Sequence, residues 1–119
     1  MDRSAALIGH ASIYDPSAHA GCRVLVMRYW PRGVRRSRVD VWLKDAAPSI
    51  DLLRAYAHEG LAWPEFERAY RAEIDARGDV LERLRALERE HGCVTLLCHE
   101  RIPPAEHCHR QILAALLED

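Results

Sequence analysis

Apolar residues along this chain form short continuous runs and longer stripes at helical spacing. The run from Arg23 to Tyr29 is mostly apolar and lies between Gly21 and a Trp-Pro-Arg-Gly segment, which predicts a buried strand. A second such run extends from Val94 to Cys98, and the segment from Val39 to Leu43 alternates well enough to be a strand or an extended piece. The pattern therefore predicts two buried strands and one short one.

Stripes of apolar residues three or four positions apart predict helices in the rest of the chain. The first covers residues 49–58, two more divide residues 64–91, and the last covers residues 106–117. Residues typical of helix ends bound them, namely Ser49, Gly60, Pro64, Asp79 with Glu82, and Gly92. The apolar faces are expected to lie in the core, and they comprise Trp63, Phe66, Tyr70, Ile74, Leu81, Leu84, Leu87, Ile112, Leu113, Leu116 and Leu117.

Strands separated by helices imply a mainly parallel sheet, because parallel neighbours need long crossover connections. We therefore expect a single domain over residues 1–119, of the α/β class, with a short, mainly parallel, Rossmann-like sheet flanked by helices in three layers. Residues 1–12 are weakly patterned and predict a loosely held leader, or an edge strand around Leu7–Ile8 or Ile13–Tyr14. The carboxyl ends of the two buried strands should share the sheet edge at which such sheets bind ligands.

Composition narrows the class of protein without naming a reaction. With 49% hydrophobic and 29% charged residues and no long apolar run, the chain is typical of globular proteins without a membrane segment, and the cytoplasm is its expected location. Four cysteines in a domain of this size indicate reduced thiols more than a disulfide framework. Charge is uneven, because residues 1–38 carry seven arginines and two acids whereas residues 39–119 carry ten bases and sixteen acids.

Reactive and metal-binding residue types concentrate between Cys93 and Ile112, which span three of the four cysteines and three of the seven histidines. This segment covers the second predicted strand, a proline-containing loop and the start of the last helix. Its side chains therefore meet the unpaired backbone N–H groups of a helix N-terminus, which favour an anion. A metal site, a reactive thiol and an anion pocket are all compatible with it.

The metal site and the reactive thiol draw on the same residues. Zinc or iron would take its ligands from Cys98, His107, Cys108 and His109, but the spacing is poor for one ion, and we predict no cofactor. Cys108, near a helix start and beside histidines, is expected to have a lowered pKa and to act as a nucleophile, with His109 as acid or base. Cys98 is its candidate partner in a reversible disulfide, although neither a C-x5-R nor a C-x2-C motif is present.

The anion pocket makes the fewest demands on spacing. Five arginines fall within eleven residues beside Tyr29 and Trp30, and they are Arg28, Arg32, Arg35, Arg36 and Arg38. We expect Arg28, Arg32 and Arg110 to bind phosphate or carboxylate together with the start of the last helix. The alternatives are internal pairing of these arginines with Asp40, Asp45, Glu100 or Glu106, and a solvated basic loop for Arg35, Arg36 and Arg38.

Four segments of the chain form a recognisable series. They are Arg23-Val-Leu-Val-Met-Arg-Tyr-Trp-Pro-Arg-Gly33, Val41-Trp-Leu-Lys-Asp-Ala-Ala-Pro-Ser49, Trp63-Pro-Glu-Phe-Glu-Arg-Ala-Tyr-Arg-Ala-Glu73 and Val94-Thr-Leu-Leu-Cys-His-Glu100. Together they resemble the DUF488 family, which includes the YeaO-like proteins, over about residues 13–117. The resemblance implies a small bacterial or archaeal α/β protein and no particular reaction. It marks as pocket candidates Arg28, Trp30, Pro31, Arg32, Gly33, Lys44, Pro48 and Ser49.

The cysteine pattern resembles a different, longer branch of that family, which shifts the expectation from the thiols toward the arginines. We therefore expect a basic cleft that binds a phosphorylated or nucleotide-like small anion, either in an enzyme or, alternatively, in a non-catalytic module that binds nucleic acid or a metabolite. A metal or thiol-redox protein is the third alternative. The expected binding residues are Arg28, Trp30, Arg32, Lys44, Ser49 and Arg110. The sequence leaves the substrate and the oligomeric state open.

Overall fold

Four parallel strands form the sheet of the computed structural model, which describes residues 8–15, 19, 21–99 and 108–118. In chain order they are β1 (Ile8–Ser12), β2 (Cys22–Leu25), β3 (Val41–Trp42) and β4 (Val94–Cys98), and they lie side by side in the order β1-β4-β2-β3. All five residues of β4 are buried, as expected for an uninterrupted apolar run between two parallel neighbours. The parallel sheet was predicted, and β4 has the predicted bounds.

Helices α1 (Ile50–His58), α2 (Trp63–Ala76), α3 (Asp79–His91) and α4 (His109–Glu118) pack on one face of this sheet. The opposite face is covered by the segment between β2 and β3, which includes the 3-10 turn 36–38. On this face Trp30 of that segment and Trp42 of β3 pack against Leu25 and Leu97. The sheet is thus the middle of three layers, and the predicted three-layer α/β class is confirmed. The predicted apolar stripes face this core, with Leu81 and Leu116 at its margin.

Two element boundaries differ from the prediction, one of them where side chains form hydrogen bonds with backbone carbonyl groups. Strand β2 ends at Leu25 rather than Tyr29, because the carbonyl groups of Val26 and Met27 accept hydrogen bonds from side chains. Helix α3 has Gly78 as its N-cap and Asp79 as its first residue, so the predicted box-like cap by Asp79 is wrong. The Asp79 carboxylate still lies in the first turn, where the helix dipole favours it.

The two ends of the chain compare differently with the expected pattern. The structure supports the predicted alternative of an edge strand around Leu7–Ile8, because residues 8–12 form the edge strand β1, while residues 1–7 lie outside the described part. Helix α4 begins at His109, and Cys108 just before it is not helical, so the predicted helical state of Cys108 is wrong. The predicted start at residue 106 lies outside the described residues.

Ser49 caps α1 as predicted, and its hydroxyl is also bound by α2. The Ser49 Oγ accepts from the Leu52 N–H at 3.1 Å and donates to Glu73 Oε2 at 2.5 Å, while the Ser49 N–H donates to Glu73 Oε1 at 2.8 Å. Ser49→Ala is expected to lower the free energy of unfolding by about 1–2 kcal/mol, because it removes both the cap and a charge-assisted hydrogen bond. Urea denaturation measures this. The exposed Ser37→Ala serves as the control, and equal losses in the two variants would contradict this role of Ser49.

Candidate functional site

Two thiols and an imidazole meet at the carboxyl end of the central strand. We call Cys98, the last residue of β4, together with Cys108 and His109 at the start of α4, the thiol–imidazole cluster. The two Sγ atoms are 2.7 Å apart, and His109 Nδ1 is 3.6 Å from Cys98 Sγ and 4.0 Å from Cys108 Sγ. Cys98 and His109 are 0% exposed and Cys108 is 3% exposed, so only a small part of Cys108 is in contact with bulk water.

One nitrogen of the His109 ring is hydrogen bonded to the backbone. Its Nε2 lies 2.6 Å from the carbonyl oxygen of Val26, and because a carbonyl only accepts, Nε2 carries the proton of this bond. The ring of Tyr70 stands nearly perpendicular to it at a centroid distance of 5.5 Å, and the Tyr70 hydroxyl donates to the Ala46 carbonyl. Both ring nitrogens lie 3.6 Å from Cys98 Sγ, but the Nε2 proton is directed to Val26, so Nδ1 is the nitrogen that can exchange a proton with the sulfurs.

Cys108 occupies the N-cap position of α4 in a capping box built on sulfur. Its backbone N–H donates to the Gln111 side-chain oxygen at 3.2 Å, and the Arg110 backbone N–H hydrogen bonds to the Cys108 sulfur. This resembles the Ser-x-x-Gln capping box with cysteine in place of serine, except that the sulfur bonds to the N–H of the second helical residue, Arg110, and not to that of the third, Gln111. Sequence reasoning missed Gln111, although the Cys-x-x-Gln spacing was the available signal.

The surroundings of Cys108 favour its thiolate. The hydrogen bond from Cys98 is the largest cause that lowers the pKa of Cys108, burial opposes it, and His109 and the Arg110 backbone N–H lower it further. The lowered pKa matches the expectation from sequence. A thiolate at this position lies at the N-terminus of α4, where the helix dipole favours negative charge.

Arg110 lies beside the cluster and holds its backbone. Its Nη1 donates to the Cys98 carbonyl at 3.2 Å, and its Nε donates to His10 Nδ1 at 3.2 Å. The pKa of His10 is lowered by partial burial and by the charge of Arg110. The guanidinium expected to bind an anion thus links α4 to the end of β4 and to the middle of β1.

The other predicted binding residues have partners outside the cluster. Arg28 donates to the carbonyl groups of Ala47 and Pro48 at 3.0–3.3 Å, and Ser49 is bound to Glu73. The Lys44 ammonium lies 4.4 Å from the Trp42 ring centroid, and the Trp30 indole N–H donates to the Val34 carbonyl. Arg32 is exposed. The structure therefore brings together Cys98, Cys108, His109 and Arg110, and leaves the remaining candidates on the connections around β3.

Comparison with known proteins settles the family. The family model described as "Active DUF488-N3 subclade" matches residues 8–119. The chain belongs to the DUF488 family. Similar proteins include uncharacterized proteins of Mycobacterium bovis and Mycobacterium tuberculosis, each 45% identical over 67 residues, and the uncharacterized protein YeaO of Escherichia coli, 37% identical over 65 residues.

These relatives confirm the predicted family resemblance and extend over part of each chain. The match to each mycobacterial protein covers 54% of this chain and 57% of the relative, and the match to YeaO covers 52% of this chain and 56% of the relative. The chain therefore spans about half the length of the curated relatives it matches. No solved structure matches the chain. In the part of this DUF488 protein that the structure describes, no helix combines the length and apolar character needed to cross a bilayer.

The thiol–imidazole cluster of this DUF488 protein also offers ligand atoms for a metal ion. One atom each from Cys98, Cys108 and His109 lies within 4.8 Å of the others, while the fourth predicted ligand, His107, is outside the described residues. Two thiolates on one tetrahedral zinc ion lie roughly 3.8 Å apart, given Zn–S bonds of about 2.3 Å. The sulfurs at 2.7 Å would have to separate before both could bind zinc.

An open cavity of about 550 Å³ lies elsewhere, between the 3-10 turn 44–46 and the start of α3. Three carboxylates, from Asp45, Asp79 and Glu82, and one guanidinium, from Arg83, line it. None of the predicted site residues is among its lining residues. Its excess of negative charge does not suit the anion expected from sequence, so the cluster remains the better candidate site.

Proposed function

We propose that this DUF488 protein is a thiol-based redox enzyme in which Cys98 and Cys108 cycle between a dithiol and a disulfide. The observation that supports this most strongly is the 2.7 Å separation of the two sulfurs beside His109 Nδ1. A disulfide bond is about 2.05 Å long, so the sulfurs need to approach by well under 1 Å. The lowered pKa of Cys108 supplies the thiolate that such chemistry requires.

Each member of the cluster has one role in this proposal. Cys108 is the nucleophile, because its sulfur is the one stabilised as an anion by hydrogen bonds. Cys98 is the second thiol, which closes the disulfide. His109 holds the proton that leaves Cys98, because its Nδ1 faces both sulfurs while Val26 fixes its Nε2.

Burial supports a small oxidant as the substrate. With Cys98 and His109 fully buried and Cys108 3% exposed, a protein or glutathione disulfide cannot contact the sulfurs in this conformation, whereas hydrogen peroxide is close to water in size. The Cys108 thiolate attacks one peroxide oxygen, the O–O bond breaks, and the leaving hydroxide takes a proton from His109 to form water, which leaves Nδ1 able to accept the proton of Cys98. The oxidised sulfur is then a sulfenic acid.

The second step closes the cycle. Cys98 passes its proton to His109 Nδ1 and attacks the Cys108 sulfur, so that an S–S bond forms and the S–O bond breaks. The departing hydroxide takes that proton and leaves as a second water. Peroxide gains two electrons and the two thiols lose two. A dithiol reductant then restores the pair in a conformation that exposes the disulfide, which suits the reducing cytoplasm that we propose as the location.

Peroxide titration of the reduced protein tests this proposal. We expect about one equivalent of peroxide to yield the Cys98–Cys108 disulfide, mapped by mass spectrometry, while Cys22 stays reduced because burial raises its pKa. In Cys98→Ser, dimedone should instead trap a sulfenic acid on Cys108. A peroxide reaction spread equally over all four cysteines, or a disulfide formed as fast in Cys108→Ser, would contradict the proposal.

Zinc binding is a second candidate function, since the same three side chains converge within 4.8 Å. The Val26 carbonyl would then be the outer partner that orients the ligating imidazole. Elemental analysis of protein purified without a histidine tag tests it. Stoichiometric zinc that is lost in Cys98→Ala and retained in Cys22→Ala would favour this candidate over the dithiol cycle.

A further inference from the structure

The structure divides the five clustered arginines into two groups. Arg28 donates to the carbonyl groups of Ala47 and Pro48, and Arg38 donates to those of Ile13 and Asp15 at 3.2 and 2.6 Å. Arg32, Arg35 and Arg36 are exposed and pair with no carboxylate among the described residues. Three guanidinium groups close together in sequence are thus left without a carboxylate partner among the described residues. Arg32 pairs with neither Asp40 nor Asp45, while the other expected partners, Glu100 and Glu106, lie outside the described residues.

The backbone that carries these three arginines is fixed by its own contacts. The Trp30 indole N–H donates to the Val34 carbonyl at 2.9 Å, and the Trp30 ring packs edge-on against Trp42 at a centroid distance of 5.3 Å. Gly33 supplies the positive φ of 80° that the turn requires, and the Arg36 guanidinium lies 5.3 Å from the Trp30 ring centroid. A fixed backbone lowers the entropy cost of binding.

An exposed aromatic ring stands in the same loop. Tyr29 is 64% exposed, the largest value among the exposed large hydrophobic side chains of the described residues. Exposed aromatic rings beside arginines are the features with which proteins hold unpaired bases, by stacking, and phosphates, by charge. Segment 28–38 includes five arginines and no acid, so no carboxylate of its own repels a phosphate.

We propose that Tyr29, Arg32, Arg35 and Arg36 bind a short single-stranded nucleic acid, with phosphates on the guanidinium groups and a base stacked on the tyrosine. A duplex fits less well, because its bases are already stacked on each other and cannot use Tyr29. We name these four residues the arginine surface. It rests on observations separate from the thiol–imidazole cluster.

The arginine surface nevertheless begins at the same sheet edge as the cluster. The Tyr14 hydroxyl donates to the Arg32 carbonyl at 3.1 Å, and the Tyr14 ring packs edge-on against His99, the residue after Cys98, at 5.0 Å. His99 Nδ1 lies 3.3 Å from the hydroxyl of Ser12 at the end of β1. A single-stranded nucleic acid bound to the arginine surface would therefore lie beside the end of β4.

Fluorescence anisotropy with a labelled single-stranded RNA of about ten nucleotides tests this inference. The logarithm of the affinity is expected to fall with the logarithm of salt concentration with a slope of roughly −2, since each of about three phosphates contributes about −0.7. Arg32→Ala, Arg35→Ala and Arg36→Ala should each weaken binding and reduce that slope by about 0.7. Tyr29→Ala should weaken binding roughly 5- to 100-fold, and Tyr29→Phe should restore it.

Matched controls separate this site from general charge. Arg54 is exposed on α1, so Arg54→Ala should bind RNA like the wild type. Unchanged melting temperatures would exclude misfolding of the variants. The inference is overturned if Arg54→Ala weakens binding as much as Arg36→Ala, if inorganic polyphosphate of equal charge competes as well as the RNA, or if no binding occurs at low salt.

Discussion

Replacing Cys98 with alanine is expected to raise the titration midpoint of the Cys108 thiolate by roughly one to two pH units. The Cys98 hydrogen bond is the largest cause of the low pKa of Cys108. A hydrogen bond to a charged group contributes about 1.5–3 kcal/mol, and about 1.4 kcal/mol corresponds to one pH unit. The ultraviolet absorbance of the thiolate, followed from about pH 2 to about pH 9, reports the midpoint without any need for a reagent to enter the buried site.

The serine variant is the matched control, because a hydroxyl also donates to the neighbouring sulfur. Cys98→Ser should therefore keep the midpoint closer to that of the wild type than Cys98→Ala does. If the two variants titrate identically to the wild type, Cys98 does not stabilise the thiolate. Helix dipole and His109 would then carry the effect alone.

The same thiolate should make stability depend on pH with a definite sign. Because the folded pKa of Cys108 lies below its unfolded value, its stabilising contribution is fully present above the ordinary thiol pKa of about 8.5. As the pH falls below that value the contribution decreases, and it is lost once the pH passes below the folded pKa. Denaturation midpoints of the wild type should therefore approach those of Cys108→Ser as the medium becomes acidic, and parallel curves would contradict this linkage.

Replacing His109 with alanine is expected to destabilise the fold by about 3 kcal/mol. The change leaves a cavity beside Tyr70 and deprives the Val26 carbonyl of the imidazole hydrogen bond. Both groups lie in the core, since Val26 and Tyr70 are fully buried. Urea denaturation gives the free energy, and the exposed His58→Ala on α1 should change it by less than about 0.5 kcal/mol.

This prediction separates the structural role of His109 from its role in the redox cycle. His109→Ala should also slow disulfide formation, because the proton of Cys98 loses its acceptor. Rates are compared below the onset of unfolding, so that the loss of stability does not enter. A stable His109→Ala protein that forms the disulfide at the wild-type rate would show that His109 is neither a core support nor the proton acceptor.

The residues of the candidate site could be predicted from the sequence, but their arrangement in space could not. Cys98, Cys108 and His109 were candidates because of their residue types and their place between a strand and a helix. Their mutual distances depend on how α4 packs on the sheet, which no spacing rule specifies. Arg28 and Ser49 show the opposite case, since both have residue types suited to anions but are bound by the 45–48 connection and by Glu73.

The sequence by itself determined the α/β class, the bounds of β4, and the approximate extents of α1, α2 and α3, because apolar periodicity and cap residues act over a few positions. Only the tertiary structure decided that β1 is an edge strand, that the sulfurs meet at 2.7 Å, and that Arg32, Arg35 and Arg36 are the arginines left exposed. These outcomes depend on contacts between residues far apart in the chain. Such contacts determine which polar groups find internal partners, and therefore which remain for chemistry or binding.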